Sequence, residues 1–313
     1  MYKDSDLASV PTRADAQAIR TPHQSPSVRP EDPRRLSESA QRPEKATTGP
    51  LEDVQGRGDV RGIRLDRAGV TDVRYPATAI DPDGIERPTI VNLEMSVAVP
   101  SESKGTHMSR FIEIVQADER GLGPEAVVRM LRVMQRRLEA QEARLALDFP
   151  LFMEREAPVT GSKGMIDIDV GYVGLIDGED IDLVQKAVVT VTSLCPCSKE
   201  ISDYGAHNQR GAVTVEVRTR KDADGTPVTM PMGELMFAAE ESASCRIYPV
   251  LKRPDERWIT MEAYENPVFV EDMVRGVAER LQADDRVESF RVHARNFESI
   301  HGHDAFAETS WSR

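Results

Sequence analysis

Apolar and polar side chains alternate with a period of two in block after block of this chain, which commits most of it to half-buried antiparallel strands. Val91, Leu93, Met95, Val97 and Val99 alternate with Asn92, Glu94, Ser96 and Ala98. Such a run buries one face and wets the other. Ala143, Leu145, Leu147 and Phe149 repeat the pattern, as do Ile166, Ile168, Val170 and Tyr172 against Asp167 and Asp169. Between these blocks the period lengthens. A helix is expected from Ser109 to Ala117, and Pro124 opens a second at a first-turn position that suits proline. Val127, Val128, Leu131, Met134 and Leu138 recur at helical spacing. A first strand over Gly62 to Val73 completes this half.

The second half repeats the plan. Val189 and Val191 lie on one strand, and Val213, Val215 and Val217 on the next. Met232, Leu235, Met236, Ala239 and Ala243 share a helical face, and Cys245 is read as a buried hydrophobe on that helix. Asn266 reads as an N-cap with Pro267 just inside the following helix, whose buried stripe is Val270, Met273, Val274, Val277 and Leu281. Phe290, Val292 and Ala294 alternate again, and a last strand runs through Phe306. Each half therefore reads strand, strand, helix, helix, strand, strand. The expected class is α+β, two modules with antiparallel sheets and helices on one face. Such a sheet leaves open edges, which invite closure into a barrel by oligomerisation. The expected boundaries are a disordered tail over 1–58, rich in Pro, Arg, Ser, Asp and Glu without apolar period, then modules at 59–178 and 179–313.

Charge and composition narrow the function. A formal net charge of −13 over 313 residues argues against a nucleic-acid binder, and 5% aromatic content offers no base-stacking platform. No apolar run reaches membrane-spanning length, no basic-then-apolar signal segment opens the chain, and three cysteines fit a reducing compartment. The expectation is a cytoplasmic protein with no membrane partner.

Chemistry concentrates in one loop. Thr192 to Arg210 holds Cys195, Cys197 and His207 between two strands, in a polar, turn-rich setting. Sulfur and imidazole so close together point to a transition-metal site; the bland alternative is a small buried thiol and a hydrogen-bonded histidine. The spacing matches neither a thioredoxin-type pair nor a structural zinc finger. Lys252 to Arg257 reads as a solvated turn after a helix, with Glu256 as an alternative oxygen ligand. Glu271 either complements a helix dipole or points into a pocket as a bidentate acceptor for a guanine edge. Glu298 and His301 pair as acid and base or form a surface turn. Lys104 to Arg110 is a glycine-containing turn entering a helix, which either caps it or holds phosphate.

Taken together, these segments resemble one family, GTP cyclohydrolase I of the type IB class. The matching stretches are Ser193 to Glu200, Gly205 to Arg210, Leu251 to Glu256, Ala263 to Pro267, Phe269 to Arg275, Asn296 to His301 and Lys104 to Phe111. The similarity runs from about Arg61 to the C-terminus. It implies tandem tunnelling-fold modules, a homotetramer with active sites between subunits, and conversion of GTP and water to formate and 7,8-dihydroneopterin triphosphate. It implies a divalent metal (Mn, Zn or Fe) at Cys195, His207 and Glu256, with Glu271 anchoring the guanine. It gives catalytic roles to Cys195, Glu298 and His301, makes Lys104, Arg110, Lys199, Arg210, Lys252 and Arg253 the pool for the triphosphate, and adds His107 to the substrate-binding residues. The chain departs from the family pattern in a longer segment from Thr219 to Pro231, and at Gly302-His303-Asp304, where the family often has Asn before the second His. Two rival readings are a nitrile reductase of the same fold, which would use a cysteine as covalent nucleophile and NADPH, and a structural metal protein.

Overall fold

The computed structural model describes Asp53, residues 55–118 and residues 121–313. The expectation for the 1–58 tail falls, apart from Asp53 and residues 55–58, outside the described residues.

The alternating blocks become long strands of a single antiparallel sheet. In chain order the elements are β1 (Leu65–Ile80), β2 (Glu86–Val99), α1 (Met108–Ala117), α2 (Pro124–Leu138), β3 (Glu142–Glu156), β4 (Lys163–Asp177), β5 (Asp180–Leu194), α3 (Pro196–Ile201), β6 (Asn208–Thr219), α4 (Met232–Glu240), β7 (Cys245–Arg246), α5 (Arg253–Glu265), α6 (Val270–Ala283), β8 (Val287–Asn296) and β9 (Ala305–Ser312). The order across the nine-stranded sheet is β1-β2-β3-β4-β5-β6-β8-β9, with the short β7 paired to β5. Edge strand β1 starts later and runs further than the Gly62–Val73 expectation. It has one neighbour and two register shifts, with Asp72 in the left-handed region at φ 57°, so its period-two signal is broken.

One parity of side chains on each strand packs beneath helices. Leu93, Met95, Leu145, Leu147 and Val170 form a cluster with Phe111, Val127, Leu131 and Met134 of α1 and α2. Val189, Val191, Val213, Val215 and Val292 form a second with Leu235, Met273, Val274 and Val277 of α4 and α6. Gly174 on β4 lets α2 approach closely: a Cβ there would stand 2.4 Å from Val127 Cγ1. The sheet is continuous between the two clusters, with β4 paired to β5 from Asp169↔Val188 to Asp177↔Asp180. Beyond Val188 the two strands part, and β7 pairs with β5 at Val191 and Thr192 instead.

Local expectations change in four places. The charged run Lys252–Arg257 is not a solvated turn but the start of α5, with Pro254 in its first turn. Only Asp255 and Ala263 of α5 are buried, so the apolar period that betrays a helix is missing. Asn266 closes α5 as its C-cap rather than opening the next helix; α6 is entered through Phe269. The α4 helix ends at Glu240, so Ala243 lies past it, and Cys245 sits on β7. Cys245 is buried, and that burial, with the nearby Glu262 carboxylate, pushes its thiol up to about 11. Thr219 to Pro231 makes a local turn, bridged at Lys221↔Pro227 and held by Asp222, whose carboxylate accepts from the Asp224 and Thr226 N–H groups.

Candidate active site

The site forms where β5, β6 and β8 end together. The last rung between β5 and β6 is Leu194↔Asn208, and the last between β6 and β8 is Gly211↔Asn296. One residue beyond Leu194, the Cys195 N–H donates to the His207 carbonyl at 3.1 Å. Pro196 disfavours helical backbone at Cys195, which adopts φ −69° and ψ 118° and becomes the N-cap of α3. Its Sγ accepts from the Ser198 N–H at 3.5 Å. The Ser198 hydroxyl donates to the Cys195 carbonyl at 3.1 Å and accepts from the His207 N–H at 3.2 Å. Ser198 thus bridges Cys195 and His207, a role visible only once both hydrogen bonds are seen.

His207 stands one residue before β6 and two before Gln209, and its Nδ1 lies 2.8 Å from Gln209 Oε1. Ser299 Oγ is 3.5 Å from both atoms. Glu298 enters from the segment after β8. Its side chain is 10% exposed, its Oε2 stands 4.0 Å from His207 Nδ1, and that oxygen is buried without a hydrogen-bond partner. Beneath these lies a buried relay: Asn296 Nδ2 donates to Ser193 Oγ at 2.9 Å, which donates to the Val268 carbonyl at 2.9 Å. Gly211 leaves room for it, since a Cβ there would meet Asn296 Oδ1 at 2.7 Å. The Val268 N–H also donates to the Leu194 carbonyl, so the start of α6 is tied to the strand that carries Cys195.

The structure sorts the remaining candidates. Glu271 is exposed in the first turn of α6. Glu256 is exposed in the first turn of α5. That turn is anchored by the fully buried Asp255, whose carboxylate accepts from the N–H groups of Val159, Thr160 and Lys252 and from the Thr160 hydroxyl. Burial pushes this carboxyl up, but the hydrogen bonds from Thr160, Lys252 and Val159 outweigh it and hold its pKa at about 2. Lys199 is engaged by α5, donating to the Tyr264 carbonyl with its ammonium 4.4 Å from the Tyr264 ring centre. Arg210 is exposed, and its carbonyl accepts from the Phe297 N–H. His301 is exposed and stacked on His303 at 5.2 Å.

Lys104, His107 and Arg110 do not join them within one chain. They follow the C-terminal end of β2, where Val97 pairs with Ala143, Ala143 with Ile176, and Ile176 with Ile181. Ile181 lies at the start of β5 and Cys195 just past its end, so at ~3.3 Å per residue about 40 Å of strand separates the two ends. Arg110 is held at that far end by the Arg137 carbonyl at 3.1 Å, and His107 Nε2 lies 3.2 Å from Asp53 Oδ2.

Among the described residues, no three His, Cys, Asp or Glu side chains are gathered as a ready-made metal group. The donor chemistry nonetheless suits a borderline divalent cation. A half-buried thiol and an imidazole, a soft and a borderline donor, are fixed on adjacent backbones, and His207 has its Nδ1 side occupied. Glu256, the third expected ligand, is exposed in the first turn of α5.

Fold and site together define an α+β protein whose large antiparallel sheet brings Cys195, His207 and Glu298 to the loops at one end of its strands. The chain belongs to the type I GTP cyclohydrolase FolE2 family, whose model matches residues 51–307. It is 46% identical over 262 residues to GTP cyclohydrolase FolE2 of Nitrosococcus oceani, covering 84% of this chain and 96% of that one. The corresponding protein of Nitrosomonas eutropha is 45% identical over 264 residues, with the same coverage. A crystal structure of uricase from Arthrobacter globiformis aligns with a TM-score of 0.47 at 11% identity, over 79% of this chain and 93% of that one.

Proposed function

We propose that this protein is a metal-dependent GTP cyclohydrolase that converts GTP and water to formate and 7,8-dihydroneopterin triphosphate, the entry step to folate-type pterins. The family match over residues 51–307 carries this reading. The convergence of Cys195, His207 and Glu298 at one sheet end supports it. Neither a covalent nitrile reductase nor a closed structural metal site gains an observation of its own.

Cys195, His207 and Glu256 would hold the divalent ion. When bound, such an ion lowers the pKa of its water from near 16 to about 7 and supplies a nucleophile for C8 of guanine. Ser198 keeps the Cys195 and His207 backbones in register for this task. Glu271 accepts the N1 and N2 hydrogens of the base, and the Ser193–Val268 hydrogen bond fixes the helix start that carries it. Glu298 moves a proton between the substrate and its unpartnered oxygen as the ring opens, with His301 as the second proton carrier.

Arg210 and Lys252 line the triphosphate path from the same sheet end, with Lys199 and Arg253. Lys104, His107 and Arg110 reach it from a second copy of the chain. This division supports active sites between subunits and a homotetramer of chains with two tunnelling-fold modules each, split near 178/179 and closed into a barrel. The location is read as cytoplasmic, since three cysteines in 313 residues fit a reducing compartment.

The reaction is tested by incubating the protein with GTP, oxidising, treating with phosphatase and reading neopterin fluorescence, with EDTA and after restoring Mn or Zn. A metal-dependent signal is expected. No signal with any metal would leave the chain with the family's fold but not its reaction.

A further inference from the structure

Gln209 is buried, 8% exposed, and its amide oxygen is committed to one ring nitrogen of His207 at 2.8 Å. His207 lies one residue before β6, and the Cys195 N–H bond to its carbonyl extends the register Ser193↔Gln209 and Leu194↔Asn208 by one step, with the imidazole against the Gln209 amide. An amide oxygen accepts hydrogen bonds and cannot donate them. It therefore requires a proton on Nδ1, and a neutral imidazole carries only one N–H, which leaves the lone pair on Nε2. Ser299 Oγ, 3.5 Å from both Nδ1 and Oε1, closes the same side. The unpartnered Glu298 Oε2 also lies 4.0 Å from Nδ1. Among the described residues, Nε2 makes no hydrogen bond.

We propose that Gln209 is a positioning residue that locks His207 as the Nδ1–H tautomer and presents Nε2 as the ligating nitrogen. This rests on the reading of His207 as a metal ligand. Losing such a partner on a ligating histidine lowers metal affinity by about 10–100-fold. Glu298 does not replace it, because at 4.0 Å it is outside hydrogen-bond reach of the ring.

The test compares Gln209→Met, which keeps the length and removes the acceptor, with Gln209→Glu, which keeps an acceptor in place. Metal-free full-length protein is titrated with Co2+ and with Mn2+ against a competing chromophoric chelator. The Met variant should bind each metal about 10–100-fold more weakly, and the Glu variant should match or exceed the parent. The tautomer is read separately by solid-state NMR of histidine-labelled, metal-free protein, with His207→Asn assigning the signal. Nδ1–H is expected in the parent and in Gln209→Glu. An Nε2–H tautomer in the parent overturns the proposal, as does unchanged affinity in Gln209→Met or an equal loss in both variants. If Gln209→Met does not fold, the parent tautomer and the Glu variant still decide. A parent that binds neither metal while His207 is Nδ1–H overturns the ligand reading instead, so the two failures are distinguishable.

Discussion

Replacing Glu240 with Gln should destabilise the protein by about 3 kcal/mol. Glu240 ends α4 with a side chain only 2% exposed, and its two oxygens meet Arg155 of β3 at 2.5 Å and Arg246 of β7 at 3.3 Å. At an effective dielectric of about 20, these contacts are worth roughly 5–7 kcal/mol each before desolvation is counted. Removing one partner of a buried pair costs about 3–5 kcal/mol, because the remaining charge is left uncompensated. Arg155 keeps a hydrogen bond to the Ile247 carbonyl, which argues for the lower end. Glu241→Gln is the control: Glu241 pairs with the same Arg246, but both side chains are more than a third exposed, so the loss should be within about 1 kcal/mol. Urea unfolding at fixed protein concentration, followed by the fluorescence of Trp258 and Trp311, measures both, with the slope expected to stay unchanged. A factor of about 100 in the unfolding equilibrium should separate the two variants. Equal midpoint shifts would refute the reading of Glu240 as a buried carboxylate held by Arg155 and Arg246. A paired Arg155→Met and Glu240→Leu substitution should recover most of the loss.

Further predictions follow from the same geometry. Mixing Cys195→Ala with Lys104→Ala chains, unfolded and refolded together, should restore part of the cyclohydrolase activity that each lacks, because the two residues lie at opposite sheet ends; no recovery at any ratio would place the whole site in one chain. Asp255 has its pKa depressed to about 2 from 3.8, so its stabilisation is complete above about pH 4 and fades as pH falls through about 2. Denaturation of the parent and Asp255→Asn across this range should therefore show a gap that closes toward pH 2, and a gap independent of pH would contradict the hydrogen-bonded carboxylate. In the metal-free protein, iodoacetamide should label exposed Cys197 first, half-buried Cys195 next and Cys245 last, since Cys245 is buried with its thiol pushed up to about 11. Peptide mass spectrometry reads the order, and early labelling of Cys245 would contradict its place on β7.

Local periodicity already determined most of the long strands, the faces they bury and that the Cys195–His207 loop joins two of them; the bulged β1 and the two-residue β7 escaped it. Each of those properties is set by neighbours within a few residues, as Val213, Val215 and Val217 show by all facing one core. The helix α5 was not legible, because it buries only Asp255 and Ala263, and its proline and charges read equally well as a turn. The capping role of Asn266 was misread because a polar residue before proline closes a helix as readily as it opens one. The site itself belongs to the tertiary structure. Cys195 meets His207 because Leu194 pairs with Asn208, and Glu298 reaches them because Gly211 pairs with Asn296, far along the chain. Such pairings must overcome loop-closure entropy and are decided by the packing of the whole sheet, not by any local pattern. The same global register carries Lys104, His107 and Arg110 to the far end of the strands, so a set of residues that look like one site in sequence is divided between two ends of the fold.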